Sequence, residues 1–413
     1  MGIYMTKKMN MKMLIGIVIF CIGGMATNMT MGILALIMQS YPNVSPVLVQ
    51  TVLVGPPLVG TIYGFFVGNI NKKVTCKTLA IIGQAALLIY GLIFLFGGGR
   101  IPIAGLIITS GLAGFNQGQL YTVLGILMTG AVEDEKKRGT LLGIFISVMS
   151  VGGVIFTTAG GAIAASGWQK AYWLFLYFAI AIVLELFLLP NVKPEGSTAP
   201  APAADAGTEK QEVQTAKPQM ARVWLLSIHY FLFFLWLYVF GTNVSEFVLN
   251  TYKIGGPAEA GLAASCVTIG GIFAGVLFGL YSRVLKRFTV PVLMGLSVIG
   301  LAIPVFVTDS MIGVYAAGLL LGFAMMGANP YITNFMHTLA PGSSYGKAMS
   351  IYSGFMNFGM VVAIYVISFL TQLVCGDGTN VHYKFVVAFV GDIFVFVTSF
   401  FIYVVGVKKE KKA

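Results

Sequence analysis

Long apolar runs broken by short polar or basic turns dominate this chain. Twelve such runs fall near residues 13–38, 47–69, 78–97, 101–130, 139–165, 171–189, 222–250, 259–283, 288–307, 311–338, 346–374 and 384–407. At roughly 20 residues or more, each is long enough to cross the hydrocarbon core of a bilayer as a helix. One stretch interrupts the pattern: residues 190–221, PNVKPEGSTAPAPAADAGTEKQEVQTAKPQMA, are rich in Pro, Ala and charge and cannot form a core. The pattern therefore predicts an all-α polytopic membrane protein with 12 transmembrane helices in two pseudo-symmetric six-helix bundles. The expected division is 1–189, a flexible cytoplasmic linker 190–221, and 222–413 ending in a basic cytoplasmic tail.

Internal repetition supports two parallel halves. The second run closes as GTIYGFFVGNINKKVTCK (60–77), with Gly60, Gly64 and Gly68 ahead of Lys72, Lys73 and Lys77. The eighth closes as GGIFAGVLFGLYSRVLKR (270–287), with Gly271, Gly275 and Gly279 ahead of Arg283, Lys286 and Arg287. Glycines four apart make a bare stripe that lets another helix approach in lipid, where packing replaces the hydrophobic effect. A second echo pairs Thr27-Asn28-Met29-Thr30 with Thr242-Asn243-Val244-Ser245, each followed thirteen residues after its Asn by a proline turn.

Composition removes most alternatives. With 57% hydrophobic and 9% charged residues and a mean hydropathy of +0.89, the chain cannot coat a soluble globule. The formal charge of +11 is a matter of topology, because with a cytoplasmic N-terminus all Lys and Arg except Arg100, Lys170, Lys253 and Lys384 face inward. No nucleic-acid partner is implied. Lys7, Lys8 and Lys12 precede an apolar run reaching Gly24-Met25-Ala26, but the run continues to Met38, so it reads as an uncleaved first helix. Cys21, Cys76, Cys266 and Cys375 show neither metal-ligand spacing nor a close partner, and no cofactor or metal is expected.

The loop after the second run resembles the Gly-x-Leu-x-Asp-Arg-x-Gly-Arg-Arg motif of the major facilitator superfamily. Gly68, Ile70, Lys73 and Lys77 fill matching positions, whereas Lys72 stands at the Asp position, Thr75 at the second Gly and Cys76 at an Arg. A register beginning at Gly64 also lacks the Asp. In the second copy Arg283 takes the Asp position. The resemblance implies a secondary transporter in which Gly68, Lys72, Lys73, Lys77, Arg283, Lys286 and Arg287 form cytoplasmic gate loops and helices 1 and 7 line a central cavity. Aligning Gly114 with the Gly of the family's Arg-x-x-Gln-Gly pattern puts Ser110 at the Arg position, so a proton relay through that Arg is unavailable. The charged loop 133–139 resembles the one before the family's fifth helix.

Within that frame, the polar residues inside apolar runs are the candidates for chemistry. Asn28 and Asn243 read as pseudo-symmetric substrate ligands or as helix–helix hydrogen-bonding groups. Asn116 and Gln119 share one face of the fourth helix, Gln117 and Tyr121 another, so at least one face should meet a cavity or another helix, and Asn116, Gln119 and Tyr121 are candidate substrate ligands. Asn329, Thr333 and His337 form a stripe on the tenth helix beside Pro330, and Ser350, Ser353 and Asn357 one on the eleventh; both read as cavity walls, with Asn329, Thr333 and Asn357 as candidate substrate ligands and His337 as a solvated or capping residue near the cytoplasmic end. The aromatic run of helix 7 reads as packing or lipid-facing residues. Glu246 and Asp392 are the candidates for proton coupling, Glu246 also reading as a wet interfacial carboxylate; Glu185 is expected at the cytoplasmic interface.

With no cation well inside a run, anionic substrates are disfavoured and the cavity suits a neutral, zwitterionic or cationic organic solute. The expected function is alternating-access transport driven by an ion gradient, in a multi-pass plasma-membrane monomer with both termini cytoplasmic. Its partners are a small-molecule substrate, membrane lipids and a coupling proton or cation. Alternatives are an efflux pump for amphipathic compounds and a non-transporting receptor or lipid-handling protein. An enzyme is disfavoured, since three His and four Cys assemble no catalytic set.

Overall fold

The computed structural model describes residues 11–71, 73–131, 135–191, 219–340 and 345–405. Among these residues every regular element is a helix. In chain order they are α1 (Met11–Ile22), α2 (Met29–Gln39), α3 (Pro46–Gln50), α4 (Gly55–Asn71), α5 (Cys76–Gly97), α6 (Ile103–Ser110), α7 (Leu112–Ala131), α8 (Glu135–Ala164) and α9 (Tyr177–Leu188). They continue as α10 (Met220–Glu246), α11 (Pro257–Leu285), α12 (Thr289–Phe306), α13 (Met311–Leu339), α14 (Tyr345–Cys375) and α15 (Val381–Ser399). Ten stretches of the described residues are long and apolar enough to cross a membrane. One of them, Pro257–Phe306, holds both α11 and α12, while α6 and α7 fall outside the ten. The protein is a multi-pass, all-α membrane protein, because in lipid only a helix satisfies every backbone group within its own segment.

Several predicted runs are divided. The first is α1 and α2 joined by a 3-10 segment, Gly23–Asn28, in which Met25 leaves helical geometry at φ −119°, ψ 19°. In the second, two prolines inside an apolar run, Pro56-Pro57, remove two backbone donors and by themselves predict a kink at that point. The break instead precedes the prolines, at the 3-10 turn Thr51–Leu53, and both prolines lie in the first turn of α4, where a missing N–H has no partner to lose. The fourth run divides at Gly111. Side-chain caps set other starts: Thr75 accepts from Thr78 N, Ser310 from Gly313 N and Asn380 from Tyr383 N.

The described residues fall into two compact units, 11–29 with 51–191 and 30–50 with 219–405. The second has an aromatic-rich core in which Tyr230, Phe233 and Phe240 of α10 are fully buried beside Tyr352 and Tyr403, so the aromatics of the seventh span serve packing. In the first unit the predicted glycine stripe is a contact: a Cβ on Gly118 of α7 would lie 2.4 Å from Gly60 O, and one on Gly114 2.7 Å from Gly60 N. Its supposed repeat differs. Gly275 and Gly279 have nothing within 4 Å, whereas a Cβ on Gly270 would meet Leu319 O at 2.1 Å and one on Gly322 of α13 would meet Val267 O at 1.8 Å. The close approach of α11 is thus to α13, one turn earlier than expected, because each helix supplies its own glycine opposite the other's carbonyl. Gly322→Ala should therefore cost about 1–3 kcal/mol of folded-state stability through overpacking. Gly275→Ala should leave thermal unfolding in detergent unchanged, and equal losses in the two variants would refute this assignment.

Candidate functional site

Asn116 and Gln119 of α7 are both buried, and the helix they meet is α5. A Cβ on Gly83 of α5 would lie 2.1 Å from Gln119 Nε2 and 3.0 Å from Asn116 Oδ1, so the missing side chain makes room for the two amides. Gln119 Nε2 donates to Leu79 O at 2.5 Å, and Tyr63 Oη donates to Gln119 Oε1 at 3.2 Å. Of the two expectations for this polar face, helix–helix contact is the one observed. Gln117, on the other face, is exposed, and the side chain of Tyr121 lies outside the described residues. Asn28 ends the 3-10 segment of the first span and is half-buried.

In the second unit, residues 30–50 pack with the C-terminal helices. Gln50 Nε2 donates to Asn243 Oδ1 at 2.8 Å and to Thr242 O at 3.2 Å, while Lys384 Nζ reaches Asn243 Oδ1 at 3.4 Å and Gln50 Oε1 at 3.5 Å. Asn243 Nδ2 is in turn held by Val239 O at 3.0 Å. All three polar side chains are buried, and Lys384 is only 1% exposed. This corrects the reading that no cation lies inside a run: α15 begins at Val381, three residues before Lys384, and carries it into the bundle. Asn243, Glu246 and Asn250 sit at i, i+3 and i+7 on one face of the seventh span. Asn250 Nδ2 donates to Glu246 Oε2 at 2.8 Å, and Gln39 Nε2 to Asn250 Oδ1 at 2.7 Å. Glu246 is half-buried.

Asn329 of α13 accepts from Tyr352 Oη at 2.9 Å and from Thr333 Oγ1 at 3.4 Å. Asn357 of α14 donates to Ser353 O at 3.0 Å. Both carboxamides stay half-buried, and Thr333 is buried. The side chain of His337 lies outside the described residues. On the opposite face of α13, a cleft of about 320 Å³ is lined by Phe278, Ser282, Tyr331, Asn334, Phe335 and Thr338.

Two membrane acids are fully buried. Ser297 Oγ lies 2.6 Å from Asp392 Oδ2 and 2.7 Å from Met294 O, while Asp392 Oδ1 has no partner. A hydroxyl has one proton, so it cannot serve both acceptors at once. Glu185 was expected at an interface but is 0% exposed, its Oε1 accepting from Gln84 Nε2 at 2.9 Å. The signal missed here was Gln84, an amide inside an apolar run like those of α7; Gln50 is a second such case.

The gate-loop residues are scattered in their environments. Gly68 lies in the last turns of α4, Lys72 falls outside the described residues, Lys73 is exposed, and Lys77 Nζ donates to the carbonyl of Leu186. Arg283 and Lys286 are exposed, and Arg287 stands 5.1 Å from the ring of Phe288. Beyond the spans, Tyr252 Oη lies 2.8 Å from His382 Nδ1, and burial raises the phenol's pKa. Hydrogen bonds from Thr379 lower that of Asp377.

A family model described as Major Facilitator Superfamily matches residues 16–364 and again 248–413. The solved structure of a point mutant of the nucleoside transporter NupG is similar in fold, with a TM-score of 0.71 and 12% identity, covering 95% of this chain and 100% of that one. No curated protein matches the sequence.

The Gln50–Asn243–Lys384 cluster makes an ordered prediction. Asn243→Leu removes an acceptor from a buried ammonium and should cost about 1.5–3 kcal/mol. Lys384→Met removes the charge along with its need for acceptors and should cost less. Thermal melts of the purified protein that reversed this order would refute the cluster.

Proposed function

Because the chain belongs to the major facilitator superfamily, we propose that it is an alternating-access carrier of a small neutral, zwitterionic or cationic organic solute, driven by a proton gradient. In this reading the protein crosses the plasma membrane twelve times as a monomer. The halves 1–189 and 222–413, joined by 190–221, rock about a midplane site with both termini cytoplasmic. The observation that carries the substrate class is the half-buried state of Asn28, Asn329 and Asn357 on apolar spans. A carboxamide is costly against acyl chains, so its open side belongs to water or solute. Lys384 does not argue for an anion, since its ammonium is enclosed by Gln50 and Asn243. Nucleosides, carried by the protein of similar fold, are uncharged hydrogen-bonding solutes and belong in the class to be tried.

For coupling, Asp392 is the stronger of the two acids. A proton on Asp392 Oδ2 lets it donate to Ser297 Oγ, which then donates to Met294 O, so the hydroxyl no longer has two acceptors competing for one hydrogen and only Asp392 Oδ1 stays without a donor. Glu246 already has an amide donor and partial exposure. The test is a panel of nucleosides, amino acids and organic amines, first by thermal shift and then by uptake into proteoliposomes with an imposed pH gradient. We expect a hit whose gradient-driven accumulation is lost in Asp392→Asn while exchange across the membrane persists. Accumulation unchanged in Asp392→Asn would remove that residue from coupling, and binding only of polyanions would overturn the substrate class.

A further inference from the structure

Glu185 and Gln84 pose a hydrogen-counting problem inside the first unit. Gln84 Nε2 donates to Glu185 Oε1 at 2.9 Å, and that bond leaves Glu185 Oε2 and Gln84 Oε1 both buried without a partner. An ionised carboxylate and an amide oxygen are both pure acceptors, so neither can serve the other. One added proton changes this: the acid O–H donates to the amide oxygen, the amide N–H donates to the acid carbonyl, and a closed ring of two hydrogen bonds satisfies both orphans. An ionised carboxylate that is fully buried and unpaired is among the most costly groups a fold can hold.

Among the described residues, no cation pairs with Glu185 in place of that proton. The titratable groups facing Glu185 are Cys21 of α1 and Tyr177 of α9, and neither is a cation. Among the described residues of α5 only the neutral Gln84 bonds to it; the Lys77 ammonium, at the head of the same helix, donates to the carbonyl of Leu186. Asp392 is the counterpart in the other unit. Gln84 is eight residues beyond the first residue of α5 and Ser297 eight beyond that of α12, and each meets the buried acid of the last span of its half.

The acid also adjoins a break in the backbone. Gln84 Nε2 makes a second, longer bond to Phe20 O at 3.4 Å, and Tyr177 Oη donates to Ile19 O at 2.6 Å. These carbonyls belong to the last turn of α1 before the 3-10 segment Gly23–Asn28. A Cβ on Gly23 would lie 2.3 Å from the Phe178 ring, so glycine lets the break sit against that ring, and 3.4 Å from Gln84 Oε1, an ordinary contact that places the break beside the amide.

We propose that Glu185 is a proton-binding site within the membrane, and that its proton, shared with Gln84, locks the break between α1 and α2 against α5 and α9. When the proton leaves, Oε2 becomes an anion facing the amide oxygen. The amide turns its N–H groups toward the carboxylate and gives up Phe20 O, which frees the break. The use of that proton in transport rests on the carrier reading; its binding does not.

The test needs no substrate. Infrared difference spectra of the full chain in nanodiscs, taken between acid and alkaline pH, should show a protonated-carboxyl band that disappears in Glu185→Gln and shifts in Gln84→Leu. In a chain with Cys76, Cys266 and Cys375 replaced by Ser, maleimide labelling of Cys21 should rise several-fold more steeply with pH than in the same chain carrying Glu185→Gln, even though the field of an ionised Glu185 by itself disfavours the thiolate and would flatten the rise. An unchanged set of carboxyl bands in Glu185→Gln overturns the proton site. Parallel labelling curves overturn the lock. Should Glu185→Gln fail to fold, a band unmoved by Gln84→Leu refutes the pairing on its own. A protein that carries nothing would still give both signals if the site is as described, so this failure is separable from failure of the carrier reading.

Discussion

The absence of water from the bilayer core is the constraint on which the rest of this structure depends. Every polar group taken into it needs a partner within the protein. The helices meet this demand for the backbone, and where they break, local structure takes over: a 3-10 segment at Gly23–Asn28, a 3-10 turn ahead of Pro56-Pro57, a π turn at Phe247–Thr251. At the first break, side chains from α5 and α9 reach carbonyls of α1. Side-chain amides follow the same rule, settling where a glycine such as Gly83 leaves room for them.

Apolar association between helices is weak in lipid, so close backbone approach matters more here than in a soluble core. Gly60 with Gly114 and Gly118, and Gly270 with Gly322, bring carbonyl oxygens within reach of bare α-carbons. The aromatic cluster of the second unit is the other solution. There Tyr230, Phe233 and Tyr352 fill volume that glycine contacts leave elsewhere, and Tyr230 keeps its hydroxyl satisfied by donating to Met325 O at 3.2 Å.

What was legible from the residues alone was anything carried by a long pattern. Apolar length located most of the spans, ten stretches of the described residues being long and apolar enough to cross a membrane with the run 101–130 not among them, and the stripe at Gly60 and Gly64 was a true contact. The failures have one cause: a pattern on one helix does not say what stands opposite. Gly271, Gly275 and Gly279 have the right spacing, but only Gly271 finds a neighbour. Asn116 and Gln119 were visible as unusual amides, yet only Gly83 on another span shows that they face α5. Lys384 was misjudged by the start of its helix: beginning α15 at Val381 rather than at residue 384 turns an end residue into a buried one. Glu185 was expected at an interface, whereas it is fully buried against Gln84, 101 residues away in the chain.

Hydrogen counting then separates polar groups that hold the fold from those free to act. Gln119, Asn243 and Gln50 donate and accept within their own units, which marks them as structure even though they lie on spans that suggest a cavity. Asn28, Asn329 and Asn357 are each partly open, and an open amide on an apolar helix retains capacity for a solute. The two buried acids form a third kind. Neither Glu185 with Gln84 nor Asp392 with Ser297 has a complete set of bonds as an anion; one proton pairs both orphans of the first, and in the second it frees the Ser297 hydroxyl for Met294 O while Asp392 Oδ1 stays open. A group whose bonding improves on taking up a transferable ion is chemically distinct from one that is merely satisfied. In a carrier, that incompleteness is what allows an ion to change the energy of one conformation relative to another.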